Sequence, residues 1–298
     1  MSVVTHMRRI TALLLLAGIA AGLLVPPAEG AELKSATVAA FDRYVRVTES
    51  RMDDDLRENY FLFIDRLPEV RRRAIDAHLR EGEVEIQQLH TLEEGRTIPI
   101  RSGMTHHWVG VIFIPNATLT QARAVLEDYD NYVTYYKPDI RRPKLLERHG
   151  KESRIYFQLY KNSLVTVVLN ANFDFTDTQF TSTRAESKSY STRIAEVENQ
   201  GKLDEHELPV GMDHGYMWRL NIYWRIEEKS GGVFLQIEVI ALTRKFPLIL
   251  GWLINPLVEK IPRSTISDLL NNTRKAVIER NAATVGPVVS SPSIGSHP

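Results

Sequence analysis

The chain has 298 residues, 43% hydrophobic and 25% charged, with 37 basic and 37 acidic side chains and so no formal net charge. That composition fits a globular protein with a full core, and the lack of a basic excess argues against a nucleic-acid partner. No cysteine is present, which excludes disulfides, a cysteine nucleophile and an acylated lipoprotein cysteine.

Residues 1–30 read as an export signal. Arg8 and Arg9 precede an apolar run from Ile10 to Val25, and Ala28 and Gly30 supply small residues for cleavage after Gly30. The run is shorter than the roughly 20 residues of a spanning helix. The alternative is an uncleaved anchor. A cleaved signal implies a periplasmic or secreted protein.

Residues 31–104 form a predicted helical N-terminal region. Phe41, Tyr44, Val45 and Thr48 recur at helical spacing, as do Tyr60, Phe61, Ile64 and Leu67. Pro68 interrupts. Glu69 to Arg80 resumes the pattern and Gly82 stops it. The helical reading extends to Glu94, and Gly95 to Gly103 is a connector. The Arg71–Arg73 triplet reads as a solvated helix face.

From Trp108 the pattern changes to strands. Trp108–Ile114 is one, closed by Pro115-Asn116. Thr118 or Thr120 caps a short helix from Gln121 to about Asp128. Tyr129, Tyr132, Tyr135 and Tyr136 follow, up to Pro138. An antiparallel meander comes next: Lys144–Arg148, Arg154–Tyr160, Leu164–Phe175 and Thr181–Val197. After a long loop, Asn199–Pro209, a hairpin forms. Trp218, Leu220, Ile222, Trp224 and Ile226 alternate with Arg219, Asn221, Tyr223, Arg225 and Glu227. Across the Lys229–Gly232 turn, Val233, Leu235, Ile237, Val239 and Ala241 share one face. One apolar sheet face needs a cover. A helix from Ser264 to Asn281, with Ile266, Leu269, Leu270, Thr273 and Val277 along one side, supplies it. Residues 282–298 are an aperiodic tail, predicted disordered.

WVGVIFIPNATLTQARAVLEDYDNYVTYYKPDI, Trp108 to Ile140, together with the final hairpin and helix, Tyr216 to Arg280, resembles the START-like superfamily, also called SRPBCC or helix-grip. The likeness spans residues 105–281 and leaves the N-terminal helices unexplained. It implies an α+β helix-grip fold, a curved antiparallel sheet wrapped on a long C-terminal helix. It also implies a cavity between the two that holds a lipid, isoprenoid or quinone-like molecule.

The residues placed in that cavity are Trp108, Ile112, Val167, Leu169, Phe173, Arg193, Trp218, Leu220, Ile222, Trp224, Leu235, Ile237, Leu269 and Thr273. Arg193 belongs there only if it points inward, where it could hold an anionic head group. The apolar stretch containing Phe246, Leu248, Leu250, Trp252, Leu253 and Leu257 is read as the entrance, and Pro247, Pro256 and Pro262 restrict its backbone. Trp252 beside Arg244, Lys245 and Lys260 suggests peripheral membrane contact. The alternative is that the stretch forms the first turns of a buried helix.

No metal site or cofactor is implied. His106-His107 is a poor chelate because neighbours on a strand point apart. Asp213-His214 with His206 and Glu207 is a weak acid–base candidate, and no P-loop, GxSxG or dinucleotide fingerprint occurs. The leading expectation is therefore a carrier of a hydrophobic small molecule. The alternatives are a cyclase- or dehydratase-like enzyme on a hydrophobic substrate, which needs titratable groups converging inside the cavity, and an interaction module, which needs an apolar patch exposed on the N-terminal helices. Nothing in the sequence specifies an oligomeric state.

Overall fold

A computed structural model describes residues 33–162, 166–245 and 251–285, with the side chains of 251–259 and 284–285 left out. The signal segment, Phe246, Leu248, Leu250 and the tail from residue 286 lie outside the described residues.

The chain opens with helix α1, Ser35–Arg57. Its apolar residues Phe41, Tyr44, Val45 and Met52 fall at helical spacing, and all are buried. A 3-10 turn, Phe63–Arg66, follows, where the Asp65 carboxylate accepts the N–H groups of Phe61 (3.0 Å) and Leu62 (2.7 Å). Pro68 stands just before helix α2, Glu69–Arg80, and Gly82 ends that stretch at φ +96°.

The predicted helix to Glu94 does not continue. Strand β1, Glu85–Gln88, joins the main sheet, and β2 (Leu92–Glu93) and β3 (Arg96–Thr97) pair as a small hairpin. Glu and Gln dominate this stretch and favour helix, but its two apolar residues, Val84 and Ile86, alternate and pack in the main core. Period two decides for strand.

Strand β4, Gly103–Pro115, leads into helix α3, Leu119–Leu126, through a capping box in which the Gln121 N–H donates to Thr118 Oγ1 (3.3 Å) and the Thr118 N–H to Gln121 Oε1 (2.9 Å). A 3-10 turn (Tyr129–Asn131) and helix α4 (Tyr132–Tyr135) carry the tyrosines. Then come β5 (Ile140–His149), β6 (Glu152–Asn162), β7 (Thr166–Gln179), β8 (Arg184–Glu198), β9 (His206–Glu207), β10 (Arg219–Lys229), β11 (Gly232–Arg244) and helix α5 (Gly251–Val285). Among the described residues the main sheet runs β1-β4-β11-β10-β8-β7-β6-β5, every pairing is antiparallel, and β9 pairs with β8.

Helix α5 starts earlier and ends later than the sequence periodicity suggested, running through Pro256 and Pro262. Each proline withdraws one backbone donor without ending the helix. Trp252, Leu253 and Leu257, read as part of an entrance, therefore lie in the first turns of α5.

The central strands are buried on both faces. Toward α5, Ile112, Ile114, Leu235, Ile237, Trp224 and Ile226 pack against Ile266, Leu270, Ala276 and Val277. On the opposite face, Val111, Phe113 and Phe234 meet Phe61, Leu62, Ile64, Ile75 and Leu79, while Tyr223, Ile240 and Leu242 meet Phe41, Tyr44, Val45 and Met52. The N-terminal helices thus form a third layer. Among large hydrophobic side chains of their described residues, Tyr60 and Val70 alone are exposed.

The polar residues of the β10 alternation, Asn221, Arg225 and Glu227, are buried on the face that carries the N-terminal layer. Arg225 Nε donates to Glu186 Oε1 (2.9 Å), and its terminal nitrogens donate to the carbonyls of Phe61 (3.1 Å) and Met52 (3.3 Å). The hydroxyls of Tyr190 (2.6 Å) and Tyr223 (2.9 Å) both donate to Glu49 Oε1 on α1. His107 Nε2 lies 2.7 Å from Glu238 Oε1, its Nδ1 lies 2.9 Å from the Tyr44 hydroxyl, and Arg51 completes the pair with Glu238. Burial alone would push the Glu238 carboxyl up, but His107 and Arg51 hold it below the usual carboxylate range.

Removing one member of a buried ion pair strands the other charge, at a cost of about 3–5 kcal/mol. Arg225→Ala should lose that much in urea unfolding followed by circular dichroism. A loss under about 1 kcal/mol would mean that this contact does not hold the N-terminal layer in place.

Candidate functional site: the groove between the sheet and helix α5

Glycine decides how α5 lies on the sheet. At Gly110 on β4, an added Cβ would stand 2.6 Å from Ile266 Cγ2 and 2.9 Å from Leu270 Cδ1. The helix therefore rests directly on the β4 backbone, a contact that a larger residue would prevent. On the next two strands, β11 and β10, two residues of this face are less covered. Ile222 on β10 and Val239 on β11 are direct cross-strand partners in the middle of the sheet. Both are only half-buried, although Leu220, Trp224, Ile237 and Ala241, two residues away on the same face, are buried. Leu269 of α5 is half-buried opposite them, and these three residues join the two core clusters on the helix side of the sheet. These three side chains mark a partly uncovered apolar seam, or groove, between α5 and the sheet.

The structure places most of the sequence-selected residues on this side. Trp108, Ile112, Trp224, Leu235 and Ile237 form the packed floor under α5. Leu169, which touches that side from β7, Phe173 and Leu220 lie deep within the sheet's other half, with Phe173 and Leu220 against Tyr129, Tyr132, Tyr136, Ile155 and Phe157. Val167 is half-buried near the start of β7. Thr273 is fully buried, donating to the Leu269 carbonyl (2.8 Å) and lying 3.0 Å from the Tyr136 hydroxyl.

Two residues are elsewhere. Trp218 packs on the α1 side, with Nε1 donating to Asp213 Oδ1 at 3.2 Å. It precedes the first residue of β10, so the strand alternation does not bind it. Arg193 points away from α5 and pairs with Glu207 (3.1 Å). Its displacement has a local cause. Asn172 and Phe173 pair with Arg193 and Ser191, which leaves Thr192 as a bulge on β8. One extra residue reverses the alternation beyond it. Ser189 and Ser191 stay on the helix side and Arg193 is turned out.

The groove's polar groups are mostly satisfied by backbone. Ser189 Oγ donates to the Ile222 carbonyl (3.2 Å), and Ser191 Oγ accepts the Leu220 N–H (2.9 Å). The buried Trp108 indole N–H has no partner. The tyrosine segment was not selected as site residues, although four tyrosines between positions 129 and 136 were a visible signal. Tyr132 donates to the Leu126 carbonyl and Tyr135 to Asp128 Oδ2 (2.9 Å). Burial pushes the hydroxyls of Tyr132 and Tyr136 well above the usual tyrosine range, so both are neutral donors.

His106 and His107 lie on opposite faces, with His106 Nε2 2.9 Å from Thr243 Oγ1 on the helix side. The Asp213–His214 group separates into two structural contacts. Glu196 accepts the His214 N–H and ring Nδ1 (2.9 and 2.8 Å), while Glu207 binds Arg193 and Asn170. Among the described residues no three His, Asp or Glu side chains are grouped to hold a metal ion.

No protein-family model and no curated protein matches the chain. Its solved structural neighbours include a STAR-related lipid transfer protein from Xanthomonas axonopodis (14% identity over 65% of this chain and 97% of that one, TM-score 0.39). Human STARD10 (9% identity, 74% and 84%, TM-score 0.44) and the Zhui aromatase/cyclase from a Streptomyces species (11% identity, 61% and 99%, TM-score 0.40) are others. The strand order and the seating of α5 described above make this a START-like, helix-grip fold with an added N-terminal layer.

Burial lowers the His106 pKa from 6.5 to about 4. A histidine whose folded pKa is depressed adds stability above its unfolded pKa, and that stability drains as pH falls toward the folded value. Between pH 6.5 and 4 the protein should lose up to about 3 kcal/mol from this group. His106→Gln should flatten that limb of a urea-unfolding pH series. An unchanged limb would show that His106 is not held neutral.

Proposed function

We propose that the chain binds a hydrophobic small molecule in the groove between the sheet and α5. The observation that carries this reading is the Ile222–Val239 pair, apolar and accessible in the middle of an otherwise buried sheet face. A ligand that covers these two and Leu269 removes apolar area from water, and fully burying each side chain contributes about 1.5–3 kcal/mol. The neutral tyrosines and the backbone-satisfied serines add little polarity to oppose this. The reading covers carriers of lipid, isoprenoid or quinone-like molecules. We also propose that the chain works outside the cytoplasm, on the strength of Arg8-Arg9, the apolar run to Val25 and the small residues Ala28 and Gly30.

One measurement addresses both proposals. Native mass spectrometry of chain purified without detergent from its own host should give a protein mass that begins at Ala31, plus a stoichiometric small-molecule adduct. A mass that still contains residues 1–30 overturns the export reading. A bare mass that persists after incubation with a lipid extract overturns the carrier reading.

A substitution tests the location. Val239→Trp puts an indole at a half-buried position packed against both core clusters, where overpacking should cost about 1–3 kcal/mol, so urea unfolding first checks that the variant is folded. The adduct should disappear from this variant. If it remains at full occupancy, the ligand is bound elsewhere.

A further inference from the structure

The loop between β8 and β10 presents apolar side chains to solvent. Leu203 and Val210 are fully exposed, more so than any other large hydrophobic side chain among the described residues, and Met212 is exposed as well. Single exposed hydrophobics scattered over a surface are ordinary. Three of them within one loop call for a cause.

The turn that carries two of them is braced from below. The Met212 N–H donates to the Pro209 carbonyl (2.9 Å), and Gly211 between Val210 and Met212 takes φ +80°, which glycine adopts without strain. Just beyond, Asp213 Oδ1 accepts the Gly215 N–H (2.8 Å) and the Trp218 indole N–H (3.2 Å). The buried Glu196 carboxylate accepts the backbone N–H groups of His214 and Tyr216, both at 2.9 Å. Val210 and Met212 thus stand on a tip whose foot is tied to the sheet. Leu203 stands on the neighbouring tip, between β8 and β9, beside the exposed Lys202.

Basic side chains gather at the foot of this loop. The Gly215 carbonyl accepts the Arg244 N–H (2.8 Å), and the Ser102 carbonyl, next to Arg101, accepts the Lys245 N–H (3.2 Å). Arg101, Arg244 and Lys245 have no ion-pair partner among the described residues. The acids of the loop are engaged: Glu205 with Arg142, Glu207 with Arg193, and Asp213 with the two N–H groups above. In a chain with equal numbers of acidic and basic residues, that is a local positive excess next to exposed apolar groups.

We propose that this end of the molecule docks on an anionic lipid surface, with Val210 and Met212 entering the head-group layer and Arg101, Arg244 and Lys245 facing its negative charge. Leu203 and Lys202 repeat the apolar and basic pairing on the second tip. The shape favours lipid over a protein partner. A protein interface of ordinary size is centred on contiguous, closely packed anchors, most often aromatic or arginine. Here the apolar groups project singly from turns, and a bilayer demands no matching relief. Arg244 and Lys245 flank the stretch that the sequence marked for membrane contact, and the structure sets beside them a loop that the sequence did not mark. The inference concerns a docking surface and does not depend on the groove.

Co-sedimentation of the mature chain with vesicles tests it. Vesicles of phosphatidylcholine and phosphatidylglycerol in equal parts should pellet the chain at about tenfold lower lipid concentration than phosphatidylcholine alone, and high salt should remove that difference. Val210→Ser combined with Met212→Ser should raise the lipid required by about tenfold or more. Urea unfolding should not change, because both side chains are exposed. Val70→Ser, at an exposed apolar position on α2, should leave pelleting as it was. Failure to pellet with the anionic vesicles, full binding by the double variant, or an equal loss from Val70→Ser overturns the docking surface. A dimer in free solution that the double substitution dissolves would assign the tips to a second copy, and overturns the lipid assignment.

Discussion

Arg225 sits in the middle of β10 with its guanidinium on the Glu186 carboxylate and on the carbonyls of Met52 and Phe61, and both side chains of the pair are about 95% buried. An ion pair in that position loses most of its hydration and is tolerated only when its hydrogen bonds are complete. Here two of the acceptors are main-chain groups of the N-terminal region. The central strands cannot be correctly solvated without that region, and the region has no other surface to bury its own apolar stripe. The charge therefore makes the third layer a part of the domain. It also fixes the register, because a one-residue slip of β10 would turn Arg225 toward the apolar side of the sheet.

The neighbouring contacts repeat the arrangement. Glu49 on α1 accepts two tyrosine hydroxyls from β8 and β10, and Arg51 meets Glu238 on β11, which in turn holds His107 on β4. Four strands are tied to one helix by polar contacts beneath an apolar seal. The consequence for the other face is mechanical. A sheet clamped from behind need not rely on complete packing in front, so a gap beside α5 is compatible with a stable fold.

Much of this was legible in the sequence, for a specific reason. The alternation in β10 and β11 is strict, and it identifies the helix-facing residues correctly from Leu220 to Ile226. The alternation alone gave no sign that Arg225, Glu227 and Asn221 on the reverse face are buried as well. Periodicity reports which residues share a face, and says nothing of what covers it. The other misses are local. One bulged residue at Thr192 sends Arg193 outward, Trp218 falls before the strand begins, and Glu-rich composition hides the period-two pattern of Val84 and Ile86. The tyrosine segment escaped selection because its meaning is positional: Tyr129, Tyr132 and Tyr136 join Phe157, Phe173 and Leu220 in one core cluster only once the sheet is formed.

The groove itself follows from asymmetric seating. Gly110 lets Ile266 and Leu270 descend onto the β4 backbone, whereas on β10 the contact with α5 is made through the side chains of Trp224 and Ile226. The helix is therefore seated more closely on β4 than on the strands beside it. Ile266 and Leu270 fill the close contact, and Ile222, Val239 and Leu269 border both core clusters beside it. Val239 opposite Ile222 leaves this part of the helix-side face less covered than the residues around it.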